Sequence, residues 1–261
     1  MVHSKKIDET AIWKEYEKKA DAGSERCIWV KDVYEYAANY LKDVRRTFEN
    51  YTLHDETHIL NVLDAMGGLL GDQISNLTVG ELELLILVAS LHDVGMVYTE
   101  EEKKEQYEDT ATCKNFLREY YPEFLGSPAE EWTKDMQQRY LRELHSKRVG
   151  DVLNNKAWNE LINKRPMEVV SQECIVTVCE AHGYNMSEII GNHNLDYLHA
   201  NDVSPLFCVL LLRLGDLLDF DDTRAPQILY SYVECNEKSR EEWKKHQASA
   251  GFSYPASPTT Q

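Results

Sequence analysis

His58, His92-Asp93, His145, His182 and Asp216 are the residues of this chain best suited to chemistry. Imidazole and carboxylate are the side chains that hold a catalytic divalent metal. Each position falls in register with apolar residues at helical spacing, where a polar side chain is costly unless something binds it. On a helix, His58 shares its face with Val62 and Ala65, and His182 follows Ile175, Val178 and Cys179. His145 lies between Leu141 and Val152 on one stripe, with Arg148 on the same stripe. Asp216 follows Val209 and Leu212, and an ionised carboxylate there needs a cation or several donors. A lone histidine in such a place is more often a hydrogen-bonded core residue than a ligand, and an His-Asp dipeptide arises often by chance. The whole ordered set instead implies a metal site built in a helical core.

The elements that must position these groups are helices almost throughout. Ile12, Trp13 and Tyr16 begin an amphipathic segment, and Val33, Tyr34, Ala37, Leu41 and Val44 mark one face of a longer helix. Asp55 can cap a third helix. Thr78-Val-Gly-Glu81 has the form of a capping box, opening a helix that runs through Leu82, Leu85, Ile86 and Ala89 into His92-Asp93, with Gly95 ending it. Gly183 is placed to close the helix that carries His182. Ser204-Pro205 reads as N-cap and first residue of the most apolar helix. Strand-type alternation is not sustained anywhere, so the expected fold is all-α, a helical bundle.

Composition bounds the rest. A chain of 261 residues with 43% hydrophobic content can bury a substantial core. Its net charge of −17 argues against non-specific nucleic-acid binding, which needs clustered Lys and Arg. The opening MVHSKKIDET has no apolar core of the signal-peptide kind, and the apolar run Pro205 to Leu212 is far too short to span a bilayer. The six cysteines form no CxxC pair and read as reduced core thiols, so the expected location is cytoplasmic, with no membrane. Residues 99–134, dense in Glu, Lys and Tyr, read as a solvated helix and loop, with a lid over the site as the alternative. Gly251 to Gln261 has linker composition, so residues 246–261 are expected to be a tail beyond which the natural gene continues.

The motifs that carry the ligand set resemble a known superfamily. Tyr51-Thr-Leu-His-Asp-Glu-Thr-His58, Leu91-His92-Asp93-Val-Gly95, Leu141-Arg-Glu-Leu-His145-Ser-Lys-Arg148, Glu180-Ala-His182-Gly183 and Leu212-Arg-Leu-Gly-Asp216-Leu-Leu-Asp219 are similar to the ordered motifs of the HD-domain metal-dependent phosphohydrolases. The likeness covers roughly residues 50–225 and extends to HD modules that precede a GHKL-type ATPase domain, which this chain lacks. The resemblance implies N-terminal helices over 1–50 packed on an HD domain over 51–245. It implies a first divalent metal held by His58, His92, Asp93 and Asp216, and a second held by His145 and His182, with Asp93 bridging. Mn, Fe, Co, Ni, Zn and Mg are all open as the metal. His54 is taken to lie outside the ligand set or at the surface.

The implied activity is hydrolysis of a nucleotide or related phosphoester by a metal-bound hydroxide, with Asp93 and Arg148 in catalytic roles. Arg148, Lys147 and Arg224 are the candidates for phosphate contact. The chain lacks a GYP tripeptide and an adjacent His-His pair, which counts against cyclic-di-GMP phosphodiesterases, and lacks the HDxGHxPFGH run of dNTP triphosphohydrolases. The same ligands also serve di-iron oxygenases. A third reading is a regulatory module that senses a nucleotide or metal for a missing ATPase domain.

Overall fold

A computed structural model describes residues 6–49, 51–52, 54–108, 110–219 and 237–248. Among them the fold is a helical bundle without a strand, a single bridge between Leu198 and Val203 aside. Five helices build the centre: α1 (Ala11–Lys19), α2 (Glu25–Leu41), α4 (Glu56–Leu70), α5 (Val79–Leu91) and α13 (Pro205–Leu218). Helix α11 (Gln172–Ala181) joins them, packing on both α5 and α13.

Their starts follow side-chain caps. The Thr10 hydroxyl accepts from the Trp13 amide, Ser24 from Cys27, and Asp55 from Thr57. Thr78 and Glu81 form the predicted capping box, each side chain taking the other's amide, and Ser204 with Pro205 opens α13. One predicted continuity fails. Helix α2 ends at Leu41, a turn over Lys42-Asp43 intervenes, and Val44 starts the separate short α3 (Val44–Thr47).

Helix α5 is the axis of the molecule. Every residue from Leu82 to Leu91 is buried, as expected of a helix apolar on all sides and surrounded by others. Its one buried charge, Glu83, is answered: Arg26 donates twice to its Oε2 at 2.9 and 2.7 Å, and the Tyr16 hydroxyl donates at 3.0 Å. Because α5 is sheathed, whatever stands at its C-terminal end is held in the middle of the protein.

Residues 99–134 contain α6 (Glu100–Glu108) and α7 (Thr110–Tyr120) and pack through Phe116 and Trp132 onto Tyr140 of α8 (Lys134–Leu144). Five cysteines are free and buried, and Cys235 lies outside the described residues. Among the described residues no single helix is long and apolar enough to cross a membrane.

Candidate metal centre

Three of the predicted ligands occupy the same local position. His92 stands at the C-cap of α5, His145 at that of α8 and His182 at that of α11. Each turns Nδ1–H back to the carbonyl three residues earlier in its own helix. His92 donates to Ala89 at 3.1 Å, His145 to Arg142 at 2.5 Å, and His182 to Cys179. A carbonyl left over at a helix end is thereby satisfied, the tautomer is fixed, and Nε2 is aimed outward with its lone pair. Three helix C-termini also direct partial negative charge at a common point, which favours a cation there.

His58 reaches that point differently, from the first turn of α4. Its Nδ1–H donates to Asp219 Oδ2 at 2.5 Å, and Asn61 holds the other oxygen of Asp219 at 2.8 Å. Sequence reasoning assigned Asp219 and Asn61 no role. Their signal was the spacing: Asp219 follows Asp216 by three residues, and Asn61 follows His58 by three.

Asp93 lies between the two halves. Its Oδ2 is 3.3 Å from His58 Nε2 and 3.4 Å from His92 Nε2, while Oδ1 is 3.4 Å from His145 Nε2. Asp216 approaches from α13, with Oδ1 3.5 Å from His58 Nε2 and 4.0 Å from His92 Nε2. Two groups close enough to hold an ion result, His58–His92–Asp93 and Asp93–His145–His182, sharing Asp93. Burial opposes ionisation of Asp93, yet the charge of His92 and bonds from His145, His58 and His92 hold its carboxyl well below the usual range. Burial and the neighbouring His145 and His92 push His182 down to about 3, so its imidazole is neutral. An ionised carboxylate beside a neutral imidazole is the protonation state that metal binding requires.

The donor set fits a metal for a further reason. Nε2 of His58 and His92 face each other at 3.2 Å, and Nε2 of His145 and His182 at 3.0 Å. With Nδ1 already the donor in all four rings, these contacts bring lone pair against lone pair wherever both rings are neutral. Positive charge between them, a proton in the metal-free chain or a metal ion, makes the arrangement stable, and every outer nitrogen is held by an oxygen as in metal-bound histidines.

Two glycines make the convergence possible by close approach rather than by ending helices. A Cβ on Gly95 would lie 1.9 Å from the His145 carbonyl oxygen, and one on Gly183 would lie 2.4 Å from Ser146 Oγ. The left-handed cap expected at both is absent, since neither has positive φ.

The remaining predicted residues lie elsewhere. Residues 145–148 form a 3-10 turn rather than a continuation of α8. Arg148 is buried there, donating to the carbonyls of Gly95 and Val97, pairing with Glu102 at 3.0 Å and covering the Tyr98 ring at 3.6 Å. With its guanidinium committed in this way, it clamps the turn after Asp93 instead of facing a substrate. Lys147 is exposed, and Arg224 lies outside the described residues. His54 is buried in the loop before α4, its Nδ1 2.7 Å from the Thr52 carbonyl oxygen and its ring 5.5 Å from that of His58.

A cavity of about 610 Å³ opens over the centre. Asp93, His145, His182 and Asp216 line its floor, and His54, Tyr51, Arg139 and Arg142 line its walls. Trp243 and His246 close another side from α14 (Glu237–Gln247), in a stretch read from sequence as the domain's edge and the start of a tail.

A helical core with two histidine groups sharing one aspartate defines an HD-type metal-binding domain. The chain matches the HD-CE family model over residues 48–259 and belongs to that family. No curated protein and no solved structure matches it.

Proposed function

We propose that this chain is a metal-dependent phosphohydrolase acting on a nucleotide or related phosphoester. The observation that carries the reading is the division of Asp93, one oxygen toward His58 and His92 and the other toward His145. A carboxylate has two oxygens to share, whereas each imidazole offers one nitrogen, and Asp93 is the carboxylate set between the two halves. Metals held there would polarise a phosphoryl oxygen and lower the pKa of a coordinated water from 15.7 to about 7. The chain's own contribution is placement. Helix ends fix the three C-cap imidazoles, Asp219 orients His58, and α5 holds His92-Asp93 against the cavity floor. No serine or cysteine nucleophile is needed, and the volume above the floor suits a small organic ligand.

The test is loading and turnover on one preparation. Protein purified without chelator should carry about one to two equivalents of a transition metal by elemental analysis. With Mn, Co, Ni, Mg or Fe it should release phosphate or a nucleoside from at least one member of a nucleotide panel, and Asp93→Ala should lose both metal and turnover. Oxygen uptake by the iron-loaded protein with no phosphate release would replace hydrolysis by oxidation on the same ligands.

A further inference from the structure

One face of α8 runs from the metal centre up the cavity wall. His145, Arg142, Arg139 and Asp135 follow one another at intervals of three, three and four residues, and all four line the cavity. At 1.5 Å rise per residue, Arg142 stands about 4.5 Å and Arg139 about 9 Å along the axis from His145. Each guanidinium is laid on an aromatic ring. Arg142 Cζ lies 5.2 Å from the centre of Tyr51, and Arg139 Cζ lies 3.8 Å from Tyr120 and 5.7 Å from Tyr121. Ring contacts orient a guanidinium and leave its N–H edge able to donate.

The chain has 45 acidic and 28 basic residues, so an arginine finds a carboxylate easily. Arg26 takes Glu83 and Arg148 takes Glu102. Among the described residues Arg139 and Arg142 form no ion pair, although Asp135 and Glu143 line the same cavity. Among the described residues no carboxylate oxygen lies within 4 Å of either guanidinium, and Glu143 acts on Arg139 only at longer range, so two oriented cations beside a metal centre in a strongly acidic protein mark a place for a ligand's negative charge.

We propose that Arg142 and Arg139 form a second anion subsite, and that the substrate carries two or more phosphates in a row. One phosphate sits at the metal centre, and the next is held by the arginines of α8. The inference rests on the phosphohydrolase reading and names the substrate class for it. Asp135, a turn beyond Arg139, limits how far negative charge can extend. Tyr51, half-buried on the wall, offers flat apolar surface for a nucleoside attached to the chain.

Imidodiphosphate, whose bridging nitrogen resists hydrolysis, and inorganic phosphate are the probes, titrated calorimetrically into the full chain loaded with manganese. Imidodiphosphate should bind at least about tenfold tighter than phosphate, the contribution of one or two charge-assisted hydrogen bonds. In Arg139→Gln/Arg142→Gln that advantage should vanish, with manganese content and phosphate affinity unchanged. An advantage that survives the double substitution, or none in the parent protein, overturns the subsite. Should the double variant not fold, Arg142→Gln alone, at an exposed side chain, is read by the same criterion. A preserved preference without turnover of any phosphoester removes the hydrolase reading and leaves the subsite standing. An imido nucleoside diphosphate binding tighter than imidodiphosphate assigns the chain to a nucleotide; equal affinity assigns it to bare polyphosphate.

Discussion

Helix α5 carries a buried polar cluster near each end, and the two are built on opposite terms. Near the N-terminus Glu83 meets Arg26 and Tyr16, so charge is cancelled and the carboxylate accepts from a guanidinium and a hydroxyl. At the C-terminus four imidazoles aim lone pairs at one another across Asp93. Both clusters are costly to bury, and both lie in an otherwise apolar core. The first is complete as a structure. The second is completed only by added positive charge, and that distinction, not burial of polar groups as such, separates a site from a strut.

The comparison is broken most sharply by substitution at each end. His145→Ala or His182→Ala should remove the Asp93–His145–His182 half while the other half keeps part of its metal, with turnover falling by orders of magnitude. Elemental analysis beside a rate assay reads both effects. Retention of full metal content by both variants would defeat the two-group reading. Arg26→Ala should act in the reverse sense, destabilising the fold by about 3–5 kcal/mol because Glu83 is left buried and unpaired. Its folded fraction should bind metal as the parent does. Denaturant melts and metal analysis on the same sample test this, and metal loss without loss of stability would erase the contrast.

Acid should sharpen it, because Asp93 and Glu83, the carboxylates of the two clusters, titrate with opposite sign. Asp93 is held below its ordinary value, so the unfolded chain binds a proton more readily, and that contribution to stability, present above about pH 4, is lost as pH falls. His182, lowered to about 3, adds loss of the same sign between about pH 6.5 and 3. Glu83 is raised, by burial above all, so its contribution runs the other way: ionising it costs stability as pH rises through its folded value. Between pH 5 and 3, metal-free parent protein should therefore lose stability relative to Asp93→Asn and gain it relative to Glu83→Gln, as followed by denaturant melts. Shifts of one sign for both variants would contradict the assignment.

The difference between the ends also governs what the sequence could tell. Helix starts were legible because a cap is a local event, as at Asp55, Thr78 and Ser204. The His/Asp cluster was legible because histidine and aspartate in apolar register are conspicuous. What the glycines do was not, since Gly95 and Gly183 answer to a neighbouring backbone carbonyl and a side chain far away in sequence. Arg148 was misjudged for a related reason. Its stripe placed it beside His145, but the carbonyls of Gly95 and Val97, which set its direction, come from another segment. Arg139 and Arg142 lie on the same helix face as His145 but had no role in the sequence reading, because whether a cation has a partner shows only in three dimensions. Glu83 likewise drew no reading from the sequence, since its partners lie on α1 and α2.

The smallest expected effect concerns His54, which tests how closely the site is defined by aim rather than by proximity. It is buried, lines the cavity and lies beside His58, so a reading based on nearness alone would count it as a ligand. Yet it belongs to the loop before α4, and its Nδ1 is taken by the Thr52 carbonyl in that loop. Neither group that can hold an ion includes it. His54→Ala should therefore leave metal content at the parent level and change turnover by less than about tenfold, the lower bound for residues that support a ligand. His58→Ala, one helical turn away in sequence, should empty its half of the centre. If His54→Ala strips the metal while His58→Ala retains it, the wrong histidine of the pair has been assigned, and the lone-pair geometry around Asp93 would not be what holds the ion.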